Sequence, residues 1–229
     1  MGLSRWSDET YARHLEQFGP CLGPIYSALC SDVLSLHLKW LEYRDLYAAS
    51  PERIDLLNDT APGFFALLQD VLWDDVLLHV VRLTDPAHQG SNRNLTLCSL
   101  GPAVTDAALR NRVDDLVKQS VAAADFARLH RNKRLAHQDR RYALDRSTSL
   151  SFGSREQVEA VLALFARTLN EVSKGVVGSV MVYREIDGTA EARHLLNRLA
   201  LAREIEGQRL GRLKDGTFTD DDLHFPEAP

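Results

Sequence analysis

Residues 62–84 read PGFFALLQDVLWDDVLLHVVRLT, and the reading of this stretch decides the fold. It is too long for a strand and apolar on nearly every face, through Phe64, Phe65, Leu67, Leu68, Val71, Leu72, Trp73, Val76, Leu77, Leu78, Val80, Val81 and Leu83. Thr60 followed by Ala61-Pro62 offers a hydroxyl cap and a first-turn proline. Asp85-Pro86 stops the run. A helix over this span is about 34 Å long at 1.5 Å per residue. Apolar all round, it is expected at the centre of a helical bundle. One polar line crosses it: Asp75, His79 and Arg82 at i, i+4 and i+7. Buried polar groups need partners, so the line suits either an internal network that fixes helix register or a layer beneath a reactive cleft. Asp74 and Asp85 read as a surface charge and a helix-ending turn residue.

Working outward, residues 24–49 repeat Ile25, Leu29, Leu36, Trp40, Tyr43 and Tyr47 at helical steps, and Ser50-Pro51 punctuates them. The aromatic stripe reads as core or interface rather than as a base-stacking platform. Residues 85–94 form a polar loop in which His88 and Arg93 are expected to be wet. Leu95–Leu100 reads as a short helical turn, and 102–119 and 121–140 as helices. Ser154 with Gln157 forms a capping box that opens a helix to about Lys174, ended by Gly175. Residues 178–186 have the one convincing strand composition. Thr189 begins a last helix to about Glu206, and from Gly207 the charged tail is expected to be mobile. One strand makes no sheet, so the class is all-α: a helical domain over 1–175 and a C-terminal extension over 176–229 with one short strand and a final helix.

Composition bounds the function. The chain has 229 residues, 45% apolar and 26% charged, with net charge −5, which permits a substantial core. A protein that coats nucleic acid without specificity is usually basic overall, so any such contact here needs a local patch. Cys21, Cys30 and Cys98 are odd in number and lack metal-ligand spacing, which points to reduced thiols. The start MGLSRWSDETYAR has no apolar signal region, and Trp6 fails the myristoylation pattern. No apolar run approaches the ~18 residues that cross a bilayer. A soluble, cytoplasmic protein with no membrane partner is the expectation.

The patch exists. Residues 128–141, RLHRNKRLAHQDRR, carry six basic side chains against one acid, Asp139, concentrated as a phosphate site requires. On a straight helix His130, Arg134 and His137 share one face, beside an apolar stripe of Phe126, Leu129 and Ala136. Arg131 points elsewhere unless the helix starts or bends near Asn132, a good capping residue, or two chains come together. Two readings stand: a solvated basic face, or His137 as an acid/base with Arg131 and its neighbours Arg128, His130, Lys133 and Arg134 holding phosphate.

The string Arg131-Asn132-x-x-x-Ala136-His137 resembles the R-x(4–6)-H motif of the HEPN superfamily. With the WDD…RLTD helix upstream, it resembles the AbiU-type abortive-infection branch over about residues 25–175. The resemblance implies an all-α bundle that forms a homodimer, with the motif near the dimer cleft. It also implies a metal-independent endoribonuclease that acts as a toxin or antiviral defence effector on RNA, with an antitoxin or regulatory protein as a further partner. Within it His137 is the general acid or base, Arg131 stabilises the phosphorane, and Asn132 orients one of them; no cofactor and no metal are called for. The chain departs from one family pattern: where some members carry a modifiable tyrosine two residues after the histidine, Asp139 stands here. Several HEPN branches are non-catalytic modules that bind a partner protein or nucleotide, and this is the alternative function.

Overall fold

The computed structural model describes residues 7–132, 153–183 and 191–224. The all-α class holds: helices carry the architecture, and the described strands amount to a two-residue pair, β1 (His88–Gln89) and β2 (Asn92–Arg93), turned at Gly90 with φ 61°. His88 and Arg93 face each other across this turn and both are exposed, as the polar composition implies. The chain divides into two units, Met1–Trp40 with Val71–Gly188, and Leu41–Asp70 with Thr189–Pro229. Residues 176–183 therefore group with the first unit and 41–70 with the second, a different division from the sequence boundary at 175.

Helix α1 (Asp8–Tyr47), whose residues up to Trp40 belong to the first unit, begins well before residue 24. Gly19 interrupts it in left-handed conformation, φ 76°, which suits glycine because it lacks a Cβ. Pro20 follows, where the first turn of a resumed helix tolerates proline. The two arms of α1 lean together: Phe18 stacks on Tyr26 at 4.0 Å, and the His14 ring nitrogen Nδ1 meets the Ser27 hydroxyl at 2.9 Å. By length and composition α1 contains one window apolar enough to cross a bilayer. Leu29, Cys30, Val33 and Leu36 within it are fully buried, which is how a core helix reads. Burial also pushes the Cys30 thiol up from its ordinary pKa, so this cysteine is chemically quiet.

Helix α3 (Pro62–Thr84) has the expected bounds, but its start and its surroundings differ from the sequence reading. The Thr60 hydroxyl donates back to the Leu56 carbonyl at 2.7 Å, closing α2 (Pro51–Thr60) instead of capping α3. Val76, Leu77, Val80, Val81 and Leu83 are buried, yet Phe64, Leu67, Val71 and Leu78 lie open. The helix is therefore not enclosed on all sides. Trp40 of α1 and Trp73 of α3 approach at 6.1 Å between ring centres, so Trp40 is core, as its place in the stripe implied.

The remaining helices of this unit are set by local signals. A 3₁₀ turn (Leu97–Ser99) leads into α4 (Leu100–Ala103). Asp106 caps α5 (Ala107–Ala123), accepting from the Leu109 amide at 2.6 Å. After Ala124 the chain restarts as the short α6 (Asp125–His130). The Ser154–Gln157 capping box opens α7 (Arg155–Val177), which runs past Gly175 and ends at Gly178, φ 71°. Helices α5 and α7 pair through Arg112–Glu171 at 2.6 Å and through the Ser120 and Thr168 hydroxyls. Residues 178–183 form no strand. Asn170 of α7 takes both main-chain bonds of Met181, at 2.8 Å each, and so replaces a strand partner. Residues 184–186 of the expected strand lie outside the described residues.

In the second unit the last helix, α8, spans Glu191–Asp215, longer than the sequence reading gave it. The Glu42 carboxylate accepts from the amides of Glu191 and Ala192 at 2.9 and 2.7 Å, satisfying orphan donors at the helix start. Arg193 pairs with buried Asp45 at 2.7 Å, and Arg203 with Asp59 at 3.3 Å. The segment past Gly207, read from sequence as mobile, is held as far as His224. Asp222 is buried, its carboxylate bound by Arg212 and by the Thr219 amide, while Arg209 donates to its carbonyl at 2.6 Å. The Arg212 contact, with the Thr219 amide, draws the Asp222 carboxyl far below its ordinary pKa.

Candidate functional site

The basic segment begins on α6, and its first members have different duties. Arg128 Nη1 donates to the Val121 carbonyl at 2.9 Å and Nη2 to the Thr84 carbonyl at 2.6 Å. One guanidinium thus satisfies acceptors at the C-terminal ends of α5 and α3, where helices leave carbonyls without intrahelical donors. Asp125 takes a further bond from it at 3.1 Å. The expectation that Arg128 holds phosphate meets a side chain already committed to main chain.

His130 is 1% exposed. Its Nε2 lies 2.8 Å from Asp74 Oδ1 on α3. A carboxylate only accepts, so Nε2 carries the proton of this bond. Expected among the phosphate contacts, His130 is instead an enclosed tie between α6 and α3.

Arg131 follows, and its side chain is 31% exposed. Nε donates to the Asn132 side-chain oxygen at 3.1 Å, and Nη1 lies 3.5 Å from Asp85 Oδ2. Among the described residues Nη2 has no partner. Arg131 stands at the C-cap of α6 with helical backbone, φ −52° and ψ −51°. Lys133, Arg134 and His137 lie outside the described residues.

Asp74 and Asp85 were given minor roles from sequence. Spacing on α3 gives their face but not which helix stands opposite, and the pairs 74–130 and 85–131 join positions far apart in the chain. The polar line Asp75, His79 and Arg82 goes elsewhere. Asp75 pairs with Lys39 of α1 at 2.6 Å. Arg82 Nη2 and His79 Nε2 meet Asp32 Oδ1 of α1 at 2.7 and 3.4 Å, and Arg82 also lies 2.8 Å from His79. Of the two sequence readings for this line, the register network fits: all three residues bind α3 to α1 or to one another. Burial pushes the Asp32 carboxyl up, but the His79 hydrogen bond and the charges of His79 and Arg82 more than offset it, leaving it below its ordinary value.

A cavity of about 410 Å³ opens at the α1 break, lined by Phe18, Cys21, Leu22, Val104, Leu109 and Val176 among others. Its lining is mainly apolar and includes none of the residues just described.

The profile of the family HEPN_AbiU2, described as AbiU2, matches residues 19–195. The chain belongs to this family, an abortive-infection branch of the HEPN superfamily. No curated protein and no solved structure matches it.

Proposed function

We propose that this protein is a metal-independent endoribonuclease of the cytoplasm, a toxin or antiviral defence effector that works as a homodimer. The observation that carries the reading is the difference among neighbours on α6. Arg128 is committed to carbonyls and His130 is enclosed, whereas Arg131, first residue of the family motif, is partly exposed and keeps Nη2 without a partner among the described residues. A planar guanidinium of this kind suits a phosphate and the charge that builds on it.

The chemistry is internal transesterification. The RNA 2′-oxygen attacks the adjacent phosphorus while a base takes its proton. The bond from phosphorus to the 5′-oxygen breaks, and an acid protonates that oxygen. The products are a 2′,3′-cyclic phosphate and a 5′-hydroxyl. His137 serves as base or acid, since imidazole titrates near ~6.5, and Arg131 bears the charge on the non-bridging oxygens. Homodimer formation draws support from Val71 and Leu78, which share the Asp74 face of α3 and lie open, as does Leu129 beside His130. A second copy covering these side chains would gather two motifs in one groove. An antitoxin or regulatory protein is proposed as the partner that holds such an activity in check.

The test is cleavage of single-stranded RNA by purified protein in EDTA, with analysis of the ends. Wild type is expected to yield 2′,3′-cyclic phosphates, and His137→Ala and Arg131→Ala each to lose ~10²–10³-fold or more with unchanged helical content. Full cleavage by either variant rejects the mechanism. No cleavage by wild type, alongside tight binding to a protein or nucleotide, leaves the non-catalytic module.

A further inference from the structure

The described residues raise a question that the motif does not answer: what aims Arg131. Helix α6 is six residues long, too short to be rigid by itself. Three contacts fix its end. Arg128 and His130, two positions apart, leave a helix on opposite sides, at about 200°. Arg128 reaches Thr84 and His130 reaches Asp74, positions about 15 Å apart along α3. Arg131, three residues after Arg128 and on its side, reaches Asp85, next to Thr84. The end of α6 is therefore stapled to α3 at two separated places, and the residue after the enclosed histidine is the motif arginine.

Charge and burial make the Asp74 staple the firm one. His130 is 1% exposed and Asp74 is 23% exposed by side chain, at 2.8 Å; Arg131 and Asp85 are each 31% exposed, at 3.5 Å. The first contact fixes main chain at 130–131, and the second turns the guanidinium from one edge, opposite no competitor for Nη2 among the described residues.

We infer that Asp74, acting through His130, and Asp85, acting on Arg131 directly, are positioning residues that aim the motif arginine at the scissile phosphate. The inference rests on the ribonuclease reading above. Neither aspartate touches RNA. Asp74 holds the backbone from which Arg131 projects, and Asp85 holds Nη1 so that Nη2 and the outer edge of the guanidinium face substrate. Misplacing a reacting group by about 1 Å costs up to ~10²-fold in rate without an equal loss of binding, so these residues act on kcat more than on KM.

The full chain is assayed in EDTA on poly(U) and on bulk transfer RNA as wild type, Asp74→Asn, Asp74→Glu, Asp85→Asn and His137→Ala. The Arg131 Nε–H resonance, assigned with Arg131→Lys, is followed in parallel by NMR of [¹⁵N]arginine-labelled protein. Asp74→Asn is expected to lower kcat by ~10–10²-fold with KM nearly unchanged and to shift or broaden the Arg131 signal; Asp74→Glu recovers most of the rate. Asp85→Asn is expected to move the same signal and to lower kcat by roughly threefold to tenfold, and it decides the matter if Asp74→Asn fails to fold. Unchanged kcat and an unmoved Arg131 signal in the folded aspartate variants, with His137→Ala inactive, overturn the inference while the ribonuclease reading stands. If wild type cleaves neither RNA, or His137→Ala cleaves as wild type does, the ribonuclease reading falls and takes the inference with it.

Discussion

Asp74 and Asp75 are neighbours in sequence, yet they bind different helices. Asp75 meets Lys39 of α1, on the side of α3 where Asp32 also gathers His79 and Arg82; Asp74 meets His130 of α6. One step along a helix is a rotation of about 100°, enough to send the two carboxylates to different helices. Buried or half-buried acid–base pairs alone do not mark a site. What distinguishes the α6 side is the residue that follows the pair, Arg131, which retains exposure and an unpartnered nitrogen among the described residues.

This contrast can be broken by variants on the α1 side, whose effects should fall on stability and not on catalysis. The largest is His79→Ala. It empties a buried position and removes a donor from Asp32, and is expected to cost ~2–3 kcal/mol, or about 5–10 °C in thermal midpoint, while RNA cleavage below that midpoint stays near wild type. A rate loss as large as that of Arg131→Ala would erase the distinction. An intermediate effect is expected from acid. The Asp32 carboxyl lies below its ordinary value in the folded chain, because the His79 bond and the Arg82 charge outweigh burial. A carboxyl depressed by folding adds stability that is fully present above its unfolded pKa, ~4, and is lost as pH falls through the folded value. Thermal midpoints should therefore drop below about pH 4, and Asp32→Asn should flatten that drop while lowering the midpoint at neutral pH. The smallest effect is Lys39→Met, which opens the half-exposed Lys39–Asp75 pair. Such pairs contribute ~0–1 kcal/mol, so denaturant melts should shift little, and less in high salt.

How much was legible follows from the range of each signal. The α7 start was readable because a capping box is complete within four residues, Ser154 to Gln157. The bounds of α3 were readable because Pro62 and the Asp85-Pro86 pair are local stops. The helix before residue 24 was missed: Gly19 splits α1 into two arms, and proline at a first turn lets a helix resume. The strand expected after Gly178 was overruled by the Asn170 amide, and the tail was fixed by Asp222 among arginines; both depend on partners that composition does not name. Within the candidate site Arg131 and Asn132 were picked out by the resemblance to the R-x(4–6)-H motif. Their supports Asp74 and Asp85 were not, because a helical period says which residues share a face and leaves open what packs on it.

The double carbonyl contact of Arg128 has a consequence for how ionic strength should act. Each cation that neutralises a phosphate frees condensed counterions, and log K falls with log salt in proportion to their number. A guanidinium locked between the Val121 and Thr84 oxygens releases none. The steepness of that fall should therefore understate the basic count of the segment, and neutralising Arg128 should loosen the ends of two helices while leaving the slope where it was.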